Sequence, residues 1–168
     1  MSQAPDCNTT MYTDPCIIVI FGASGDLTAR KLMPSLFRMF CKGYLPDKVA
    51  ILGCARTALG DEAFREKMRA KCCSGKENDT FWSLFADKLH YQPITYDQED
   101  SYGSLQARLG QLQGTFDTHG NILFDLAVPP LLYARIGEML GRAGLAKPTV
   151  PDAWVRLVVE KPFGHNYK

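Results

Sequence analysis

At 168 residues, 46% hydrophobic and 22% charged, the chain has the make-up of an ordinary globular protein able to bury one core. Its formal charge of +1, with both signs interspersed, supplies no field that would argue for nucleic acid or an anionic membrane surface, and no apolar run approaches a membrane span. The six cysteines show no C-x-x-C and no paired histidine spacing, which argues against a zinc or dithiol-redox site and for a reducing, cytoplasmic compartment.

Residues 1–15 are polar, carry Asp6 and Asp14 but no lysine or arginine, and read as a flexible arm, neither a secretory signal nor a transit peptide. Cys16, Ile17, Ile18, Val19, Ile20 and Phe21 then form an unbroken apolar run, the pattern of a strand buried on both faces. Gly22 and Gly25 follow, and the chain turns helical. Glycines without a Cβ let an anion approach the main chain, and a helix start offers it unpaired N–H groups and a positive dipole end. The pattern is Gly22-x-x-Gly25 and lacks a third glycine, so the residues alone leave open a strand-to-helix turn with no ligand.

In the first helix, Leu32, Leu36, Met39 and Phe40 fall on one face, while Arg30, Lys31 and Arg38 lie elsewhere as a solvated side. Pro34 predicts either a kink or a regular helix that begins near Met33, and Gly43 ends it. Residues 49–54 are the second strand, closing on Ala55, Arg56 and Thr57. Residues 61–71 carry a helix with Ala63, Phe64 and Met68 as its apolar positions and Asp61 as its cap. A polar break over 74–80 precedes a short helix marked by Phe81, Leu84, Phe85 and Leu89, which leads into a weak strand over 89–93. Leu105, Leu109 and Leu112 mark a helix over 101–112, and residues 121–128 form a strand that stops at Pro129 and Pro130. A proline-started helix over 131–141 and a last strand over 154–159 complete the series, the strand ending in Glu160, Lys161, Pro162, Phe163 and Gly164.

Strands alternating with helices in this rhythm predict an α/β fold: a doubly wound, mostly parallel, Rossmann-like sheet with helices on both faces. Ligands of such sheets bind beyond the carboxyl ends of the strands, which directs attention to residues 22–28, Arg56 with Thr57, Pro129 with Tyr133, and Lys161 with Pro162. An acid after the second strand would accept a hydrogen bond from an adenosine ribose 2′-hydroxyl, but Arg56 stands there and no acid lies between Asp47 and Asp61. A guanidinium there suits a 2′-phosphate; the other reading is a solvated surface arginine. Lys161, held extended by Pro162, either meets a phosphate or substrate hydroxyl or simply reaches water. Asp26 reads as a local hydrogen-bond acceptor. His90, His119 and His165 have no carboxylate or serine partner at a suggestive spacing, and none is assigned as a base.

Four motifs in this order carry a resemblance. GASGDL from Gly22 to Leu27, CAR ending at Arg56, LAVPP from Leu126 followed by Tyr133, and EKPFG from Glu160 together resemble the amino-terminal coenzyme domain of the glucose-6-phosphate dehydrogenase family. The resemblance implies a coenzyme-binding domain over residues 16–168 and NADP-dependent oxidation of glucose 6-phosphate at C1 to 6-phosphogluconolactone, the entry to the pentose phosphate pathway. It implies that Gly22, Ala23, Ser24, Gly25, Asp26, Leu27, Thr28 and Ala29 cradle the pyrophosphate and that Arg56 holds the 2′-phosphate. It further implies that Tyr133 lies near the coenzyme, that Lys161 contacts substrate and positions the nicotinamide, and that Pro162 is cis. The family's catalytic histidine, its RIDHYLGKE-like motif and the domain that forms its oligomer have no match in these residues, so they are expected to hold no catalytic base and to be inactive alone. Three alternatives remain: a non-catalytic nucleotide-binding module, another Rossmann sugar oxidoreductase with an EKP motif, and an inert fragment.

Overall fold

The structure, a computed structural model, describes residues 13–73 and 79–160. The arm's first twelve residues and Lys161, Pro162 and His165 lie outside the described residues. Five strands make one sheet in the order β3-β2-β1-β4-β5: β1 is Cys16–Phe21, β2 Val49–Ala55, β3 Leu89–Pro93, β4 Ile122–Leu126 and β5 Val155–Val159. Every pairing is parallel. The central strands β1 and β2 are buried along their whole length, the consequence of helices on both faces and the reason their sequences are apolar without alternation.

One face carries α1 (Met33–Cys41), α2 (Asp61–Cys72) and α3 (Asp79–Ala86); the other carries α4 (Glu99–Phe116) and α5 (Tyr133–Arg142). Alternate residues of β1 feed the two cores. Ile18 and Ile20 pack toward Met33, Phe37, Phe64 and Phe85, while Ile17, Val19 and Phe21 pack toward Tyr102, Leu105, Leu109 and Ile136. Gly53 in β2 is required by this packing, because a Cβ there would lie 2.7 Å from the Phe64 ring and 2.8 Å from the Ala23 methyl.

Pro34 resolves as the sequence allows. Met33 donates its amide to Thr28, closing a π-helical turn over Thr28–Leu32, and regular α-helix begins at Met33 with the proline in its first turn, where no amide is needed. Gly43 at φ +69° closes α1, its amide bonding to Phe40 and that of Tyr44 to Met39.

Three expectations need correction. Met39 is exposed, and Met33 and Phe37 are the side chains that α1 buries. In α3 the exposed pair is Phe81 and Leu84, while Trp82 joins Phe85 in the core, packed edge-on against Phe37. Asp61 does not cap α2: Gly60 occupies the cap position without a side-chain bond, and the Asp61 carboxylate turns to the sheet edge. There it accepts the Tyr91 amide at 2.8 Å, which covers a backbone donor of edge strand β3.

Candidate functional site

The strand order reverses at β1. From β1 the chain runs outward to β2 and β3, then crosses the opposite face through α4 to return as β4 on the other side of β1. A doubly wound sheet opens a crevice at such a reversal. Gly22 sits at its floor with φ +84°, where a Cβ would lie 2.2 Å from the Ala127 carbonyl oxygen, so only glycine fits. Its amide and that of Ala23 both donate to the Cys54 carbonyl, at 2.8 and 3.2 Å, pinning the turn to β2.

The rest of the turn is built around its own backbone. The Gly25 amide donates to Gly22 at 2.9 Å, the buried Thr28 hydroxyl donates to the same carbonyl at 3.2 Å, and the Ala29 amide donates to Gly25 at 3.1 Å. Ala23, Thr28 and Ala29 are buried, so any contact they make with a ligand runs through the main chain. Gly25 and Asp26 are exposed, Ser24 and Leu27 half-buried, and Asp26 forms an ion pair with Arg30 at 2.9 Å. A helical turn that opens here leaves its first amides without intrahelical partners.

Beside the turn lies the end of β2. Arg56 is exposed, with its guanidinium carbon 6.0 Å from the centre of the Tyr96 ring. Tyr96 packs in turn on Phe21, the last residue of β1. Thr57 donates its hydroxyl to the Ser24 hydroxyl at 3.1 Å, and its carbonyl accepts the Tyr91 hydroxyl at 2.8 Å. From α2, Lys67 donates to the Ser24 carbonyl at 2.8 Å. Three segments thus meet at Ser24.

On the far side of the crevice Tyr133 packs against the core with Val128 and Leu132, and its hydroxyl donates to the Glu160 carbonyl at 3.4 Å. That bond ties the start of α5 to the end of β5. Asp125 on β4 has one buried carboxylate oxygen without a partner, and burial, with Glu160 nearby, raises its pKa.

The structure therefore gathers the predicted Gly22–x–x–Gly25 turn with Arg56, and places Tyr133 at the same rim. Sequence reasoning missed Tyr96, Lys67 and the partner of His90. His90 is not a lone histidine: its Nδ1 lies 3.2 Å from Asp61, which also accepts Arg108 at 2.7 Å. Burial lowers the His90 pKa, and the Tyr91 amide, His90 and Arg108 hold that of Asp61 below its usual value against its own burial. No spacing signal could have found this cluster, because its members come from α2, β3 and α4. Among the described residues no group of three or more His, Cys, Asp or Glu could hold a metal ion, and no helix is long and apolar enough to cross a membrane.

Comparison with known proteins adds a second line of evidence. The family model described as glucose-6-phosphate dehydrogenase, NAD binding domain, matches residues 19–168. Glucose-6-phosphate 1-dehydrogenase of Aggregatibacter actinomycetemcomitans is 43% identical over 158 residues, covering 93% of this chain and 31% of that protein. The enzyme of Bacillus subtilis (strain 168) is 36% identical over 152 residues, covering 89% and 30%. A solved structure of glucose-6-phosphate dehydrogenase in complex with its substrate glucose-6-phosphate superimposes with a TM-score of 0.80 at 31% identity, over 90% of this chain and 31% of that one. The chain spans less than a third of the length of these relatives.

Proposed function

The chain belongs to the glucose-6-phosphate dehydrogenase NAD binding domain family, and from that premise we propose that its crevice binds NADP as the coenzyme half of an enzyme that oxidises glucose 6-phosphate to 6-phosphogluconolactone. The observation that carries the coenzyme choice is the end of β2, where Arg56 stands over Tyr96 and no carboxylate occupies the place of a ribose acceptor. A guanidinium forks onto a phosphate monoester through two N–H donors, which a 2′-hydroxyl cannot match.

The remaining roles follow from position. The main chain of Gly22, Ala23, Ser24, Gly25, Asp26, Leu27, Thr28 and Ala29 holds the pyrophosphate, where Gly22 lets it approach and the helix start stabilises its charge. Tyr133 lies across the crevice beside the coenzyme, and Lys161, which is outside the described residues, takes its role from the EKPFG motif: it contacts substrate and helps position the nicotinamide. NADP held there would supply a hydride acceptor for C1 of the sugar, while the base that would take the hydroxyl proton is not assigned to any residue of this chain. The parent protein forms a homo-oligomer in the cytosol, in keeping with the free state of Cys16, Cys41, Cys54, Cys72 and Cys73; light scattering and cell fractionation test those two statements.

Calorimetric titration with NADP and NAD separately is the test. NADP is expected to bind more tightly, and Arg56→Asp to reverse the order, with a loss of roughly 10- to 100-fold in NADP affinity for a charge-assisted contact. Equal affinities of the wild-type chain for the two coenzymes would sink the reading.

A further inference from the structure

Near the glycine turn Arg30 is paired with Asp26 at 2.9 Å, and on the opposite face of the sheet Arg108, Arg135 and Arg142 each have a carboxylate partner at 2.6 to 3.2 Å. Arg56 and Lys67 have none among the described residues. Asp61, the acid nearest to Arg56 in the following sequence, is committed to Tyr91, His90 and Arg108. Two exposed cations are thus left without a carboxylate; Lys67 is tied to Ser24 directly, and Arg56 is linked to it only through its chain neighbour Thr57. Lys67 donates to the Ser24 carbonyl at 2.8 Å, while Thr57, next to Arg56, donates to the Ser24 hydroxyl at 3.1 Å.

We propose that Lys67 is a second specificity-determining residue for the coenzyme, its ammonium joining Arg56 in holding the 2′-phosphate of NADP above the Ser24–Thr57 hydroxyl pair. The inference rests on the NADP reading above and deepens it. An ammonium has three donors, and one bond to the Ser24 carbonyl leaves two for an anion. That bond also fixes the position of the side chain, so less rotamer freedom is lost when a phosphate arrives. The two hydroxyls already bond to each other and can reorient to donate to phosphate oxygens. Lys67 comes from the second turn of α2, so it approaches from a different side than Arg56 at the strand end. Two cations on two elements flank a doubly charged monoester better than one.

The alternative is that Lys67 serves only to clamp the turn, and the experiment separates the two. Wild-type chain, Lys67→Gln, Lys67→Met, Lys67→Arg and Arg56→Ala are titrated with NADP and NAD, and with adenosine 2′,5′-bisphosphate and adenosine 5′-monophosphate as probes of the 2′ position. Lys67→Gln and Lys67→Met are expected to weaken NADP and the bisphosphate by about three- to tenfold while leaving NAD and the monophosphate within twofold, with Lys67→Arg restoring the preference. The salt dependence of bisphosphate binding becomes shallower in Lys67→Gln than in wild type. A parallel loss for all four ligands would make Lys67 a clamp and overturn the proposal, as would no loss at all. Retention of preference in the Lys67 variants with its loss in Arg56→Ala defeats this inference alone. A wild-type chain without preference defeats both readings. Unfolding midpoints of the variants guard against misfolding, and Lys67 is exposed, so little packing is disturbed.

Discussion

Helix α2 lies between two polar clusters whose charges are handled in opposite ways. At its first residue, Asp61 gathers the Tyr91 amide, His90 and Arg108, so positive and negative groups cancel in a half-buried place. About one and a half turns later, Lys67 donates to the Ser24 carbonyl and Thr57 to the Ser24 hydroxyl, with Arg56 next to Thr57 in the chain, and among the described residues no acid pairs with either cation. The first arrangement is what a sheet edge needs: a covered backbone donor and a local charge close to neutral. The second is what an anion site needs, since a cation already paired would have to surrender its partner before it could bind. Unpaired cations on an ordinary surface are common, but two converging on one glycine turn at the strand-order reversal are a different matter.

The largest effect is expected from Gly22→Ala, which removes the floor that both the crevice and the β1–β4 contact depend on. The φ of +84° and a Cβ 2.2 Å from the Ala127 oxygen should together cost about 3 kcal/mol or more and abolish coenzyme binding. Urea unfolding measures this, and a loss below about 1 kcal/mol would show that the turn and β4 do not meet as described.

Asp61→Ala should cost about 2 kcal/mol, because it leaves the Tyr91 amide and Arg108 without their acceptor. Its ratio of NADP to NAD affinity should nevertheless match that of the wild type. A changed ratio would mean that the two clusters are one electrostatic unit and that the contrast drawn between them is false.

The smallest effect concerns acid. Burial lowers the folded pKa of His90 from the ordinary 6.5, only partly opposed by its bond to Asp61, with Arg108 and Arg65 acting in the same direction as burial. Phe116 on α4 packs on the ring and carries no charge. A depressed folded pKa means that the unfolded chain binds the proton first, so the stability associated with neutral His90 is present above pH 6.5 and is lost as pH falls through the folded value. Thermal unfolding from pH 7 to pH 5 should decline less steeply in His90→Gln than in the wild type. Asp61, also depressed, contributes a separate loss below its ordinary 3.8 that this variant does not remove. Identical slopes in the two proteins would remove His90 from the edge account.

Much of the fold was legible because its signals are local. The unbroken run of β1, the leucines of α4, Pro34 and the proline pair after β4 each constrain their own segment, and each segment formed where expected within a few residues. Even the weak strand over Leu89–Pro93 forms, as the outer strand against β2. The errors fall where helical periodicity is degenerate. In α3, Phe81, Trp82, Leu84 and Phe85 supply two apolar faces, and packing against Phe37 on another helix decided that Trp82 and Phe85 go inside. Asp61 stands at a helix start, where capping is the short-range option, and the unpaired edge amide of Tyr91 outcompeted it.

The site divides along the same line. Sequence alone determined the α/β class, the glycine turn and the arginine at the end of β2, because a strand, a residue without Cβ and an absent acid are properties of a few neighbouring positions. Only the tertiary structure decided that the Ala127 carbonyl makes Gly22 obligatory, that Arg56 lies over Tyr96, that Lys67 reaches Ser24, and that Asp61 belongs to the edge. The physical reason is range. Each of those contacts joins residues that are distant in sequence, and a parallel sheet brings them together only after its crossovers have closed.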